Sequence, residues 1–520
     1  MIDLFVNSIQ QGLLMCWDPI LMLLIFAGVL WGIFAGAITI GPNLAVGVIL
    51  PFCLTLPPTY AVGLLCAVNV AVSYGNSIPA ILIGVPGTSS AMLTSIDGYA
   101  LHRQGKTGLA LAVQYYGALT GQMVSNFYYL FMVVPLAQLT YVFLGPEMFA
   151  LYALGIVSIV AITGDNLVKG LTACAFGFAL SLAGRDPVSG VLRFDLFYDL
   201  RGGLEITPTI MGLLVAAELY RQFRQNFKWA EIATKFEAKF PAFKELWRVT
   251  PHVLAGSVIG TLVGAIPGLG GTQAAFMSYN QSKLWSKHPE EYGHGSIEGV
   301  AANEAAQNAS QAGEMVPTFG LGIPGSSTMV FLFAAMLMNG FIPGPLLIQQ
   351  APQLLYAAWG PGLLAPTIML AILGWPMCMV LLKVVTLNRT MILTSALILC
   401  MVGVFTLNRS GLDVFFMLFF GIIGYFMWRY GYPVACASLA LVLGNGLEGH
   451  LRRGLVLLDG SWWAFVSRPW VALILAVSFA LLIYGTWGTV KLARRTAAIR
   501  RQLLAAHLAG ISVSDRQPGS

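Results

Sequence analysis

Two seven-residue stretches carry the groups best suited to holding a small solute: Gly84-Val85-Pro86-Gly87-Thr88-Ser89-Ser90 and Gly322-Ile323-Pro324-Gly325-Ser326-Ser327-Thr328. Proline lacks an N–H and glycine lacks a side chain to hold helical geometry, so each stretch breaks a helix. The hydroxyls of Thr88, Ser89, Ser90, Ser326, Ser327 and Thr328 follow, where a new half-helix would begin. The free N–H groups and positive dipole end of such a start suit an anion, such as a carboxylate. Broken backbone in hydrocarbon leaves amides unsatisfied at several kcal/mol each, so it survives only against protein or a water-filled cavity. One Pro-Gly-Ser alone would be a surface turn. Two copies flanked by apolar sequence (SIPAILIGVPG and MVPTFGLGIPG) are read as buried re-entrant hairpins, with backbone shaped by Gly84, Pro86, Gly87, Gly322, Pro324 and Gly325 and with the six hydroxyl residues facing substrate.

A second polar set lies in GVAANEAAQNASQAGE, Gly299 to Glu314. Asn303, Gln307, Ser310, Gln311 and Glu314 recur at helical spacing and share a face, with Glu304 and Asn308 beside it. Such groups supply oxygens to a cation or substrate, or they glue closely packed helices together. Glu314 is an acid in apolar surroundings, and an ionised carboxylate at membrane depth costs roughly +2.5 to +3.5 kcal/mol on insertion scales. It therefore needs a counter-charge, a bound ion or a proton. Asn76, Asn303, Asn308 and Glu314 are the candidates for coupling to sodium or a proton. GAIPGLGGTQ, Gly264 to Gln273, is glycine-rich, but it is not GxGxxG and follows no strand, so it makes a poor nucleotide site. The GxxxG pairs Gly32/Gly36 and Gly260/Gly264 predict close helix packing.

The elements that must position these residues are membrane helices. Of 520 residues, 57% are hydrophobic and 10% charged, against roughly 25% charged in soluble domains. Apolar runs of about 18 or more residues recur from Pro19 to Val490, and the alternating pattern of a barrel is absent. The fold class expected is an all-α polytopic membrane protein. The N-terminus lacks the basic region of a cleaved signal peptide. Seven scattered cysteines without CxxC, and six dispersed histidines, suggest neither a disulfide pair nor a metal site, and no catalytic residues are assigned. The net charge of +6 is no nucleic-acid signal: the basic residues concentrate in Arg221–Arg248 and Lys491–Arg501, both expected on the cytoplasmic side. Phe223, Phe227, Phe236, Phe240 and Phe243 suggest that the first of these lies on the membrane surface.

The chain is written twice. At an offset of 238 residues, Gly75, Pro79, Gly84, Pro86, Gly87 and Ser89 fall on Gly313, Pro317, Gly322, Pro324, Gly325 and Ser327. GIFAGAI (Gly32 to Ile38) pairs with GTLVGAI (Gly260 to Ile266), and Asp97-Gly98-Tyr99 with Asn339-Gly340-Phe341. A polar insertion at Ser286–Gly295 accounts for the change of offset. The organisation expected is a first half at 1–220, a basic amphipathic linker at 221–249, a second half at 250–450, a membrane segment at 451–490 and a basic cytoplasmic tail at 491–520. Opposite loop charges at equivalent points favour inverted repeats. Five apolar segments between Lys106 and Arg221, both placed inside, is an odd number, so either one segment fails to span or one of the two loops is on the other side.

Over nearly its whole length the sequence resembles the large membrane subunit of tripartite tricarboxylate transporters, the TctA family. The resemblance rests on YGNSIPAILIGVPGTSSAMLTSIDGY (Tyr74 to Tyr99), on GRDPVSGVLRFD (Gly184 to Asp195), on SYNQSKLWSKHPEEYGHGSIEGVAANEAAQNA with GLGIPGSSTMVF, on Pro343–Pro345, and on LVLGNGLEGHLRRGL (Leu441 to Leu455). It implies a secondary transporter of the bacterial inner membrane that takes up carboxylates with sodium or protons. The implied partners are a small membrane subunit and a periplasmic solute-binding protein. The chain departs from the usual family pattern at Gly84-Val85-Pro86-Gly87-Thr88-Ser89, at Thr39-Ile40-Gly41-Pro42, and at Asn76, Asn303, Gln307, Gln311 and Glu314. An intramembrane enzyme is the first alternative, but no nucleophile–base or acid pair stands at a recognisable spacing. An ion channel is the second, and it would concentrate its signal in one pore loop.

Overall fold

The computed structural model describes residues 2–139, 143–163, 167–186, 189–194, 203–224, 240–344, 346–384, 389–483 and 486. Helices α1 (Ile2–Met15), α2 (Pro19–Ala37), α3 (Pro42–Cys53), α4 (Pro58–Gly75) and α5 (Ser77–Ile83) lead to the first Pro-Gly break. After it come α6 (Met92–Arg103), α7 (Thr107–Leu139), α8 (Gly145–Thr163) and α9 (Leu167–Ser181). A two-residue antiparallel pair, β1 (Gly184–Arg185) and β2 (Leu192–Arg193), precedes α10 (Ile206–Ile210), which continues through a wide turn into α11 (Ala217–Arg224). Next are α12 (Phe243–Gly264), α13 (Gly270–Trp285) and α14 (Ile297–Gly320). The second break leads to α15 (Met329–Met338), α16 (Leu347–Gln350), α17 (Pro352–Trp359) and α18 (Ala365–Val384). Then follow α19 (Arg389–Asn408), α20 (Gly411–Arg429), α21 (Val434–Leu457), α22 (Trp462–Val466) and α23 (Pro469–Ile483).

The protein is all-α and polytopic: among the described residues, six helical stretches are long and apolar enough to cross a membrane. Prolines stand at the start of α2, α3, α4 and α17, where their missing N–H costs nothing. The Asp18 side chain caps α2 through the N–H groups of Ile20 and Leu21 and accepts from the Tyr60 hydroxyl. Between Lys106 and Arg221 the described residues form four continuous helices rather than five apolar segments, because α7 runs unbroken through Pro135. Most of the basic linker (225–239), Pro345 and the basic tail from 491 lie outside the described residues. The last predicted helix is described only to Ile483, apart from residue 486.

Helix α14 is not among the six, because its amides and carboxylates lower its hydropathy, yet every residue from Glu298 to Gly320 is buried. It packs on α7 and α12, while α4 packs on α2 and on the α17–α18 stretch. The GxxxG expectation holds at both seams. A Cβ on Gly36 would lie 2.5 Å from the Gly75 carbonyl carbon, and one on Gly313 would lie 2.6 Å from the Thr261 oxygen and 3.1 Å from the Gly264 carbonyl carbon. Only glycine admits such backbone approach.

Two loops are tied down by carboxylates. Buried Asp97, on α6, accepts from Tyr279 Oη at 2.7 Å and from the N–H groups of Gly293 and Gly295 at 2.8 and 2.9 Å, so the polar insertion folds back onto α6. Asp186 and Arg193, of the GRDPVSGVLRFD loop, join Glu448 and Arg452 on α21 in a four-member ion network. Hydrogen bonding to Glu448, then to Asp186, pushes the Arg193 guanidinium above its ordinary pKa.

Candidate functional site

The two Pro-Gly breaks have the same backbone construction. Gly84 and Gly322 adopt φ of +66° and +72°, a left-handed helix end that favours glycine. Two residues before each proline–glycine turn closes, the Val85 N–H donates to the Pro79 carbonyl at 3.4 Å, and the Ile323 N–H to the Pro317 carbonyl at 3.1 Å. The Ala91 N–H reaches Thr88 Oγ1 at 3.4 Å, and the Met329 N–H reaches Ser326 Oγ at 3.4 Å. Each turn then folds back onto the helix before it, Gly87 against Asn76 and Gly325 against Glu314.

Both tips line one cavity of about 500 Å³. Thr88, Ser89 and Ser90 contribute from one tip, Ser326, Ser327 and Thr328 from the other, and Glu314 lines the same space. Four helices start at its walls: α3 after Gly41, α13 after Leu269, α6 after the first tip and α15 after the second. None of the four is closed by a side chain at its own capping position. Their N–H groups and positive dipole ends therefore bias the cavity toward anions. Glu314 already uses part of this field, accepting from the Gly271 N–H at 3.1 Å at the start of α13. Arg221 and Glu218 also line the cavity and pair with each other.

The remaining sequence candidates sit elsewhere. Asn303 lies behind the first tip, bonded to the Ser90 carbonyl at 3.1 Å. Asn76 is fully buried under Gly87, with neither amide atom hydrogen-bonded. Asn308 donates to the Glu304 carbonyl of its own helix at 2.9 Å and does not line the cavity.

Several lining residues escaped sequence reasoning. Asn43 Oδ1 accepts from Ser327 Oγ at 3.0 Å and Thr328 Oγ1 at 2.8 Å, tying the second tip to the start of α3. Gly268 donates its N–H to the Gly325 carbonyl at 2.9 Å, so the GAIPGLGGTQ break belongs to the cavity wall. The signal for both was present as Gly41-Pro42 and Pro267-Gly268, helix starts at matching places in the two halves.

The family model described as "Tripartite tricarboxylate transporter TctA family" matches residues 22–439. An Agrobacterium vitis protein described as an uncharacterized 52.8 kDa protein in the TAR-I ttuC' 3' region is 32% identical over 488 residues, covering 93% of this chain and 96% of the relative. A second Agrobacterium vitis protein, from the TAR-II ttuC' 3' region, is 35% identical over 226 residues, covering 43% of this chain and 92% of the relative. No solved structure matches the chain.

Proposed function

The chain belongs to the tripartite tricarboxylate transporter TctA family, and on that premise we propose that it is the large membrane subunit of an ion-coupled uptake system for a small organic carboxylate. It is a multi-pass membrane protein of a transporter family. The finer reading places it in a bacterial inner membrane, beside a small membrane subunit, receiving substrate from a periplasmic solute-binding protein. Its two halves act as inverted repeats, with the cavity at their shared centre.

The observation that carries this reading is the convergence of both hydroxyl tips and four helix starts on one cavity. Carboxylate oxygens accept from N–H groups and hydroxyls alike, and helix starts favour negative charge. Glu314 adds a negative charge to the same space, which would repel a polyanion unless a cation or proton balances it. Sodium or a proton entering with the substrate meets that need. Of the coupling candidates Asn76, Asn303, Asn308 and Glu314, Glu314 is the one that faces the cavity.

Cysteine substitution tests the cavity. Ser89→Cys and Ser327→Cys should react with a small aqueous thiol reagent, and a carboxylate substrate should slow both reactions. The native background is low, since six of the seven cysteines are buried. If both positions stay inert in a transporting protein, the shared cavity is refuted. Vesicles holding this chain alone should accumulate little substrate until the binding protein and small subunit are added.

A further inference from the structure

We propose that Arg221 is a carboxylate ligand of the cavity and that Glu218 holds its place, so that an entering carboxylate exchanges with Glu218 on the guanidinium. This deepens the transport reading and rests on it for the site's role.

Leu214, Glu218 and Arg221 stand at i, i+4 and i+7 and all three line the cavity, so one face of the turn into α11 forms part of its wall. Three ionisable side chains line the cavity: the carboxyls of Glu218 and Glu314 and the guanidinium of Arg221. Among the described residues Arg221 is the one Lys, Arg or His in that lining. With Arg221 spent on Glu218, an ionised Glu314 leaves the wall one charge negative, which repels an anion. A carboxylate that takes over the guanidinium gains the cation that the wall otherwise withholds. Arg224, three residues on, bonds the Tyr425 hydroxyl at 2.5 Å and does not line the cavity.

The guanidinium is already arranged for a carboxylate. Its Nε donates to Glu218 Oε2 at 2.7 Å and its Nη2 to Glu218 Oε1, two parallel bonds to the two oxygens of one group. That fork fits a substrate carboxylate as well as a side chain's. Two contacts prepare the exchange. The guanidinium carbon lies 5.5 Å from the centroid of the Trp428 ring on α20, and this cation–π contact holds the cation when Glu218 leaves. Glu218 Oε1 also accepts from Gln222 Nε2 at 2.7 Å, so its carboxylate keeps a donor when the guanidinium turns to another partner. The two paired side chains are 30% and 25% exposed. A pair of neighbours on one helix with that access to water is weak, so little opposes its opening.

The test uses the full-length chain in detergent, without partner subunits. The probe is the tricarboxylate citrate, and its Kd is measured by isothermal titration calorimetry. Arg221→Gln should raise the Kd by about tenfold or more. Arg221→Lys keeps the charge but loses the fork, and should raise it by about threefold. It keeps the question decidable should Arg221→Gln fold poorly. Glu218→Gln removes the competitor and should lower the Kd by about threefold. That gain should vanish when Glu218→Gln is combined with Arg221→Gln. Were the pair merely structural, breaking it from either side would act in the same direction. Four results would overturn the proposal: Arg221 variants with the wild-type Kd, single variants that shift it in the same direction, a gain from Glu218→Gln that persists without Arg221, and citrate bound by neither wild type nor Glu218→Gln. Unchanged citrate binding by Arg221→Gln would leave the hydroxyl tips standing as the site, whereas inert cysteines at Ser89 and Ser327 would refute the shared tips and leave the Arg221 measurement intact.

Discussion

At the first hairpin, Gly87 rests on the side-chain amide of Asn76; at the second, Gly325 rests on the backbone of Glu314. The turns share their glycine conformations and their hydrogen bonds to Pro79 and Pro317. They differ in what supports them. Residues 76 and 314 hold the same place beneath their turns, yet one is a neutral amide without partners and the other a carboxylate at a helix start. The backbone device is the same at both turns while the supporting side chains differ. The difference in charge beneath the two turns is thus a property of this one pair.

Putting a charge on the first side should have the largest effect. Asn76→Asp would bury a carboxylate with no N–H to receive it, costing about 2.5–3.5 kcal/mol, and folded yield on size-exclusion chromatography should fall sharply. A yield equal to wild type would mean that position 76 has a hidden partner. Next come the turn glycines. A Cβ at Gly325 would lie 2.4 Å from a backbone oxygen, whereas one at Gly87 meets a side-chain atom that can swing away. Gly325→Ala should cost roughly 1–3 kcal/mol of overpacking and lower the apparent Tm more than Gly87→Ala; equal Tm values would erase the distinction. Asn43→Ala removes two hydroxyl partners from the second tip only, at about 0.5–1.5 kcal/mol each. Hydrogen exchange should quicken over residues 322–330 and stay unchanged over 84–91. Glu314→Gln should change stability least, within about 1 kcal/mol, because an oxygen remains for the Gly271 N–H. Its effect belongs in transport, where sodium or pH dependence of uptake should be lost. Uptake with unchanged dependence on both would make Glu314 structural.

Much of this arrangement was legible in the sequence because helix-breaking residues are local signals. Pro-Gly and the hydroxyls after it mark the tips wherever they fold, and an offset of 238 residues pairs them. The all-α membrane class follows as directly from hydropathy. What stayed hidden depends on which neighbour a face meets. Helical spacing puts Asn308 beside Asn303, but it cannot show that the Asn308 amide turns back to its own Glu304 carbonyl. Asn43 follows a Gly-Pro pair that reads as an ordinary helix start, and its hold on Ser327 spans 284 residues.

The glycine seams of α2 with α4 and of α12 with α14 have a mechanical consequence. Where two backbones touch without side chains between them, there is no cushion of rotamers to absorb sliding, and each pair behaves as a stiff double rod. Any opening of the protein must then be taken up at the tips and at the joints between rods. The Asn43 latch, which joins the second tip to a helix from the other half, sits at one such joint and must stretch or let go before the rods can swing.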